Sequence, residues 1–169
     1  MAVTTQNGDQ YELQYGSTLG AVYGTEVRGK VCKEYFSHTQ SGAGDAGSSV
    51  AICKLPPGRI RLLLPECWFY CNWTTASATL DLGNDAYTQI DGTAVAANVD
   101  SIIDGLSVDT VSMFGFEELV AAIGVLPTAV LGYTALFDSQ DGIVIRASST
   151  DTAIADADDL AGVLTYMVA

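Results

Sequence analysis

Apolar residues recur at every second position in short runs separated by turn residues. Residues 26–36, 49–55, 59–64, 67–73 and 78–82 are such runs, rich in β-branched and aromatic side chains. Successive side chains of a strand point to opposite faces, so a period of two predicts strands. In 59–64, Ile60, Leu62 and Leu64 share one face and Arg59, Arg61 and Leu63 the other, until Pro65 breaks the ladder and marks an edge or a bulge. In 67–73, Cys67, Phe69, Cys71 and Trp73 oppose Trp68, Tyr70 and Asn72. Aromatic residues on both sides predict a central strand covered on both faces. The alternative is an exposed aromatic row that packs against a neighbouring subunit or a sugar.

Residues 130–137, 142–147 and 160–168 read as three further strands, and the turn Asp138-Ser139-Gln140-Asp141-Gly142 predicts a hairpin joining the first two. Helix signals are few. Residues 97–106 predict a short helical turn ended by Gly105, and 116–123 have the composition of another. No period of 20 to 50 residues recurs, which excludes solenoids and propellers. The sum is an all-β chain, a β-sandwich with the jelly roll as its leading form. Residues 1–20, poor in aliphatics, predict an extended N-terminal arm, leaving 21–169 as the sandwich domain.

Composition sharpens this picture. A chain of 169 residues with 49% hydrophobic and 16% charged residues has a core's worth of apolar surface for one domain, so the net charge of −13 does not signal an acidic disordered tail. An excess of acids repels a phosphate backbone, which excludes direct nucleic-acid binding as the expectation. The charge is divided: residues 1–61 are net +1 and residues 62–169 net −14. Arg28, Lys30, Lys33, Lys54, Arg59 and Arg61 therefore predict a mildly basic face suited to an acidic protein, with scattered surface cations as the plainer alternative. The N-terminus lacks the basic and apolar regions of a secretory signal. The longest apolar stretch, 119–132, is broken by Pro127 and too short to span a bilayer, so no membrane is expected.

Motif chemistry is sparse. Gly42-Ala43-Gly44-Asp45-Ala46-Gly47 matches G-x-G-x-x-G, but Ser48-Ser49-Val50-Ala51-Ile52 follows as a strand where a dinucleotide site needs a helix; a mobile surface loop is expected. Cys32, Cys53, Cys67 and Cys71 form no C-x-x-C pair and read as buried thiols, neither a zinc site nor disulfides. Asp151, Asp156, Asp158 and Asp159, with Asp81, Asp85 and Asp91, lack EF-hand spacing and read as solvated loop acids, a bound cation being the minor alternative. His38 is the only histidine and stands in no G-x-S-x-G or H-E-x-x-H motif, and no catalytic residue, metal or cofactor is expected.

Three stretches together resemble the decoration, or cement, proteins of tailed-bacteriophage capsids, small jelly-roll head proteins of marine and cyanobacterial phages. They are Tyr35 to Gln40 leading through the Gly42 to Ser48 loop into Ala51 to Arg61; Ser77 to Gly83 with Tyr87-Thr88 and Asp91-Gly92; and Gly142 to Arg146 with Gly162 to Tyr166. The segments around Trp68 and from Phe114 to Leu126 depart from that pattern. The resemblance implies a non-enzymatic virion protein, made in the host cytoplasm and placed on the outer surface of the head. It implies the major capsid protein as partner and a homotrimer as the assembly. Interface candidates are then Tyr11, Leu13 and Tyr15 in the arm, the cations Arg28, Lys30, Arg59 and Arg61, and the aromatics Trp68 and Tyr70. A sugar-binding or adsorption sandwich of a phage tail or head fibre is the alternative, with Trp68, Tyr70 or Trp73 as stacking platforms.

Overall fold

Alternation along the chain becomes antiparallel strands in the computed structural model, which describes residues 30–110, 112–115 and 134–168. The strands are β1 (Lys30–Thr39), β2 (Ser49–Leu55), β3 (Gly58–Leu63), β4 (Trp68–Cys71), β5 (Thr79–Asn84), β6 (Tyr87–Thr88), β7 (Ala94–Val95), β8 (Asn98–Ser107), β9 (Ser112–Phe114), β10 (Thr134–Ser139), β11 (Ile143–Ser148) and β12 (Asp159–Val168). One sheet runs β10-β3-β12, with β1 on the other edge of β12 and β4-β9 continuing beside it; the second runs β2-β11-β5-β8. Strand order β1-β12-β3-β10 facing β2-β11-β5-β8 makes this β-sandwich a jelly roll. The predicted arm at 1–20, the second helical turn at 116–123 and the candidates Tyr11, Leu13, Tyr15 and Arg28 lie outside the described residues.

Between the sheets Leu62, Leu64, Phe69, Leu80, Ile103 and Ile145 are fully buried. The Phe36 and Phe69 rings meet at 5.7 Å, one from each strand flanking β12. β3 and β4 behave as one long strand along β12, interrupted by a 3₁₀ turn at Leu64–Glu66 that holds Pro65. That bulge is the break that Pro65 predicts, and it sets the inward positions as 60, 62 and 64, then 67, 69, 71 and 73.

Three expectations need correction. Residues 97–106 are not helical: from Asn98 on they lie in β8, where Leu82 pairs with Ile103 and Leu80 with Leu106, so an extra residue intervenes. Gly105 takes a φ of +67° in that irregularity, and the bulge gives buried Ile103 and Leu106 the i, i+3 spacing of a helix. The turn at 138–142 does not close a hairpin, because β10 pairs with β3 while β11 pairs with β2 and β5. It is a corner between the sheets, running beside the Pro56-Pro57 corner that joins β2 to β3. Gly142 does take the expected positive φ, +86°, and its Cα lies so close to Leu55 that an added Cβ would stand 2.4 Å from the Leu55 carbonyl oxygen.

The G-x-G-x-x-G loop, expected as mobile, is tied down. Its N–H groups at Gly44 and Gly47 donate to the Ile154 and Ser149 carbonyls at 2.8 and 2.7 Å, Ile154 N–H returns a bond to Gly44 at 3.1 Å, and Gln40 exchanges bonds with the 157–158 backbone. Loop 40–48 therefore continues the β1–β12 ladder across one end of the sandwich. It leads into β2 and has no helix N-terminus to hold a pyrophosphate.

Candidate interaction surface

Register fixes which side chains leave the first sheet outward. Val31, Lys33, Tyr35 and Ser37 on β1 stand opposite Met167, Thr165, Val163 and Ala161 on β12. Trp68 and Tyr70 on β4 pair with Val163 and Ala161, and Met113 on β9 pairs with Tyr70. Arg61 on β3 lies between Met167 and Leu136 of β10. Residues directly opposite share a face, so these positions make one continuous outer surface. Of the seven exposed large hydrophobic side chains among the described residues, five stand on it: Val31, Tyr35, Trp68, Met113 and Leu136. Isolated exposed hydrophobics are ordinary, whereas several gathered on one sheet face mark an interaction surface.

This decides the reading of residues 67–73. The strand is covered on one side only: Phe69, Cys71 and Trp73 are buried, Trp68 is exposed and Tyr70 half-buried. Trp73 therefore fills the core and offers no stacking platform.

Lys33, Arg59 and Arg61 reach the same face, while Lys30 begins β1 at its rim. Arg59 Nε lies 3.4 Å from Asp138 Oδ2, whereas Lys33 and Arg61 form no ion pair among the described residues. Lys54 lies on the second sheet, opposite Val144, so the basic residues are brought together only in part.

The acids gather on the other sheet. Asp81, beside Leu80 and Leu82 of β5, points to the outer side, where Asp104 and Asp151 act on its charge. It is buried, not solvated as expected: its carboxylate accepts from Gly105 N–H at 2.7 Å and from the Thr150 hydroxyl. Burial raises its pKa above the ordinary value; the Gly105 and Thr150 bonds oppose that, and the Asp104 and Asp151 charges add to it. Exposed Asp104 and Asp151 lie about Asp81, and the same outer side also carries Lys54 and Arg146. Asp85 is paired with Arg146 at 2.5 Å. Asp158 is the second buried carboxylate: it accepts from Thr74 N–H at 3.2 Å, Thr74 Oγ1 at 3.0 Å and Ala155 N–H at 2.9 Å, which straps the 149–158 loop to the end of β4. These acids are structural acceptors, and among the described residues no cluster of His, Cys, Asp and Glu has the arrangement of a metal site.

Cys67 and Cys71 are buried thiols, while Cys32 and Cys53 are half-buried and all four are free. Burial pushes Cys53 and Cys71 up to about 12 and Cys67 to about 11, so these sulfurs stay protonated and are poor nucleophiles. His38 Nε2 lies 3.3 Å from Gln40 Oε1 and is hydrogen-bonded to no nucleophile among the described residues. No helix among the described residues is long and apolar enough to cross a membrane.

Comparison with known proteins adds structural likenesses at low identity. No family model matches the sequence, and no curated protein is a significant match. A chain of the cyanophage Pam1 capsid asymmetric unit is similar over 83% of this chain and 86% of its own length, at 16% identity and a TM-score of 0.47. A chain of infectious bursal disease virus, Gt strain, is similar over 82% of this chain at 9% identity and a TM-score of 0.43, the match spanning 32% of that longer chain. The VP2 subviral particle of the same virus gives 83%, 9% and 0.30, over 42% of its chain. The jelly-roll assignment rests on strand order.

Proposed function

We propose that this chain is a non-enzymatic virion structural protein, a decoration or cement protein that binds the outer surface of a phage head and stabilises it, assembled as a trimer. The observation that carries the reading is the outer face of the first sheet, where Trp68, Tyr35, Val31, Met113 and Leu136 stand exposed together. The sequence resemblance supplies the class of partner, the major capsid protein. A rigid sandwich with one apolar, partly cationic face suits a protein whose work is adhesion, and several copies docking at once raise avidity without a deep pocket. In this reading the arm at residues 1–20 lies across neighbouring subunits, adding a strand to an exposed sheet edge.

Co-sedimentation of the purified chain with head shells that lack it tests the proposal. Binding is expected, and removing residues 2–18 should weaken it while leaving the sandwich folded. Absence of binding by the full chain contradicts the reading, and undiminished binding by the truncated chain removes the arm's role. Exposed Trp68 also favours, as a second reading, a sugar-binding adsorption module. Glycan-array binding abolished by Trp68→Ala in a folded protein would replace the first reading with this one.

A further inference from the structure

Backbone hydrogen bonding leaves one long sheet edge open. Asn72 N–H donates to the Asp159 carbonyl at 3.1 Å and Thr165 N–H to Cys67 Sγ at 3.3 Å, so the odd-numbered residues of β12 turn their backbone groups toward β4. Backbone groups alternate sides along a strand. The even-numbered residues Leu160, Gly162, Leu164 and Tyr166 therefore serve their partners His38, Phe36, Glu34 and Cys32 on β1. The N–H and C=O groups of Val31, Lys33, Tyr35 and Ser37 are left on the far edge, where no strand pairs with them among the described residues. β1 runs ten residues in unbroken register, whereas β2 and β8 carry irregularities and the described parts of β9 and β10 span three and six residues. Short or bulged edges resist strand addition, and a long regular one invites it.

The chain holds a segment suited to that edge. Gln10-Tyr11-Glu12-Leu13-Gln14-Tyr15 alternates polar and apolar residues without a break, the pattern of a strand with one apolar side. We infer that residues 9–15 of one copy add as a strand to β1 of a second copy, with Asp9, Tyr11, Leu13 and Tyr15 on the outer side beside Val31, Lys33 and Tyr35. Charge suits the pairing: residues 1–20 hold Asp9 and Glu12 and no Lys or Arg, while β1 carries Lys30 and Lys33 with Glu34 as its one acid. Exposed Val31 and Tyr35 gain apolar cross-strand neighbours. Residues 16–29 reach roughly 45 Å when extended, against about 20 Å for the width of four strands, so the segment spans from its own sandwich to the next. An arm and an edge are unlike surfaces, and a three-fold rotation closes their repeated contact into a ring while the outer face of the first sheet stays open to the shell. The inference names the segment and the edge behind the oligomeric part of the proposed function and rests on that part, but its test uses the isolated chain and is independent of any shell.

Sedimentation velocity of the full-length chain, joined to residue-resolved amide exchange, provides that test. Wild type should self-associate, and the amides of Lys33, Tyr35 and Ser37 should exchange roughly tenfold or more slowly in the assembled chain than in the dilute, dissociated one. Ser37→Pro removes a donor from the open edge and leaves the β1–β12 ladder its bonds. The double variant Glu12→Pro/Leu13→Pro removes a donor from the added strand whichever phase it takes. Each should lose roughly tenfold or more in association, and with it the protection of the edge amides, while circular dichroism shows the sandwich folded. The double variant lies outside the sandwich and carries the test should Ser37→Pro fail to fold. A wild-type monomer at all concentrations, association undiminished in either folded variant, or edge amides unprotected in the assembled chain would each overturn the inference. Association through this edge without binding to head shells would instead count against the virion reading.

Discussion

At the scale of single residues, two positions hold the account to measurement. Asp81 sits where burial outweighs the hydrogen bonds from Gly105 and Thr150, so its folded pKa lies above the usual carboxylate value. A raised folded pKa means that the native state holds the proton more tightly. The stability this carboxyl contributes is therefore full at low pH and lost as pH rises through the folded value. Asp81→Asn keeps a carbonyl oxygen for Gly105. Urea unfolding should show it gaining on wild type as pH climbs from about 4 toward neutrality, with no such gain near pH 3. A difference constant across that range would refute the buried-carboxyl argument. Phe69 is the second position: fully buried and stacked near Phe36, it should cost about 3–5 kcal/mol as Phe69→Ala by denaturant melts. A loss near zero would mean the two sheets do not close there.

Elements show how far local pattern reaches. The faces of β3 and β4 were legible, because apolar residues at 60, 62 and 64 shift phase to 67, 69, 71 and 73 and Pro65 stands in the gap. Partners were not. Asp141-Gly142 announces a reversal with positive φ, but a hairpin and a corner between sheets use the same turn chemistry, and only the pairing of β10 with β3 and β11 with β2 distinguishes them. The helical reading of residues 97–106 fell to a bulge that mimics helical spacing at Ile103 and Leu106. Trp68 and Tyr70 announced an aromatic face, yet whether it was covered depended on what the other sheet leaves bare. Gly142→Ala tests the corner. A side chain at that φ costs about 1–3 kcal/mol from conformation alone, and the Leu55 carbonyl in its way adds to this, so a clear fall in midpoint is expected from thermal melts. An unchanged midpoint would contradict the tight corner.

At the scale of the whole molecule, sequence charge and folded geometry converge on a body with unlike sides. One carries exposed aromatic and aliphatic residues with Lys33 and Arg61, which form no ion pair among the described residues; the other carries Asp104 and Asp151 about buried Asp81 together with Lys54 and the Arg146–Asp85 pair, and burial keeps the Cys53, Cys67 and Cys71 thiols protonated. The proposed adhesive role uses the apolar face, and the resemblance of three sequence stretches to capsid cement proteins implies a capsid shell as the class of partner. Imaging intact virions that contain this chain tests the claim most directly. The account predicts density for the sandwich at a fixed symmetry position outside the head, with Trp68 and Tyr35 covered by neighbouring protein. Virions whose outer shell lacks that density, or in which the face stands open to solvent, would contradict it.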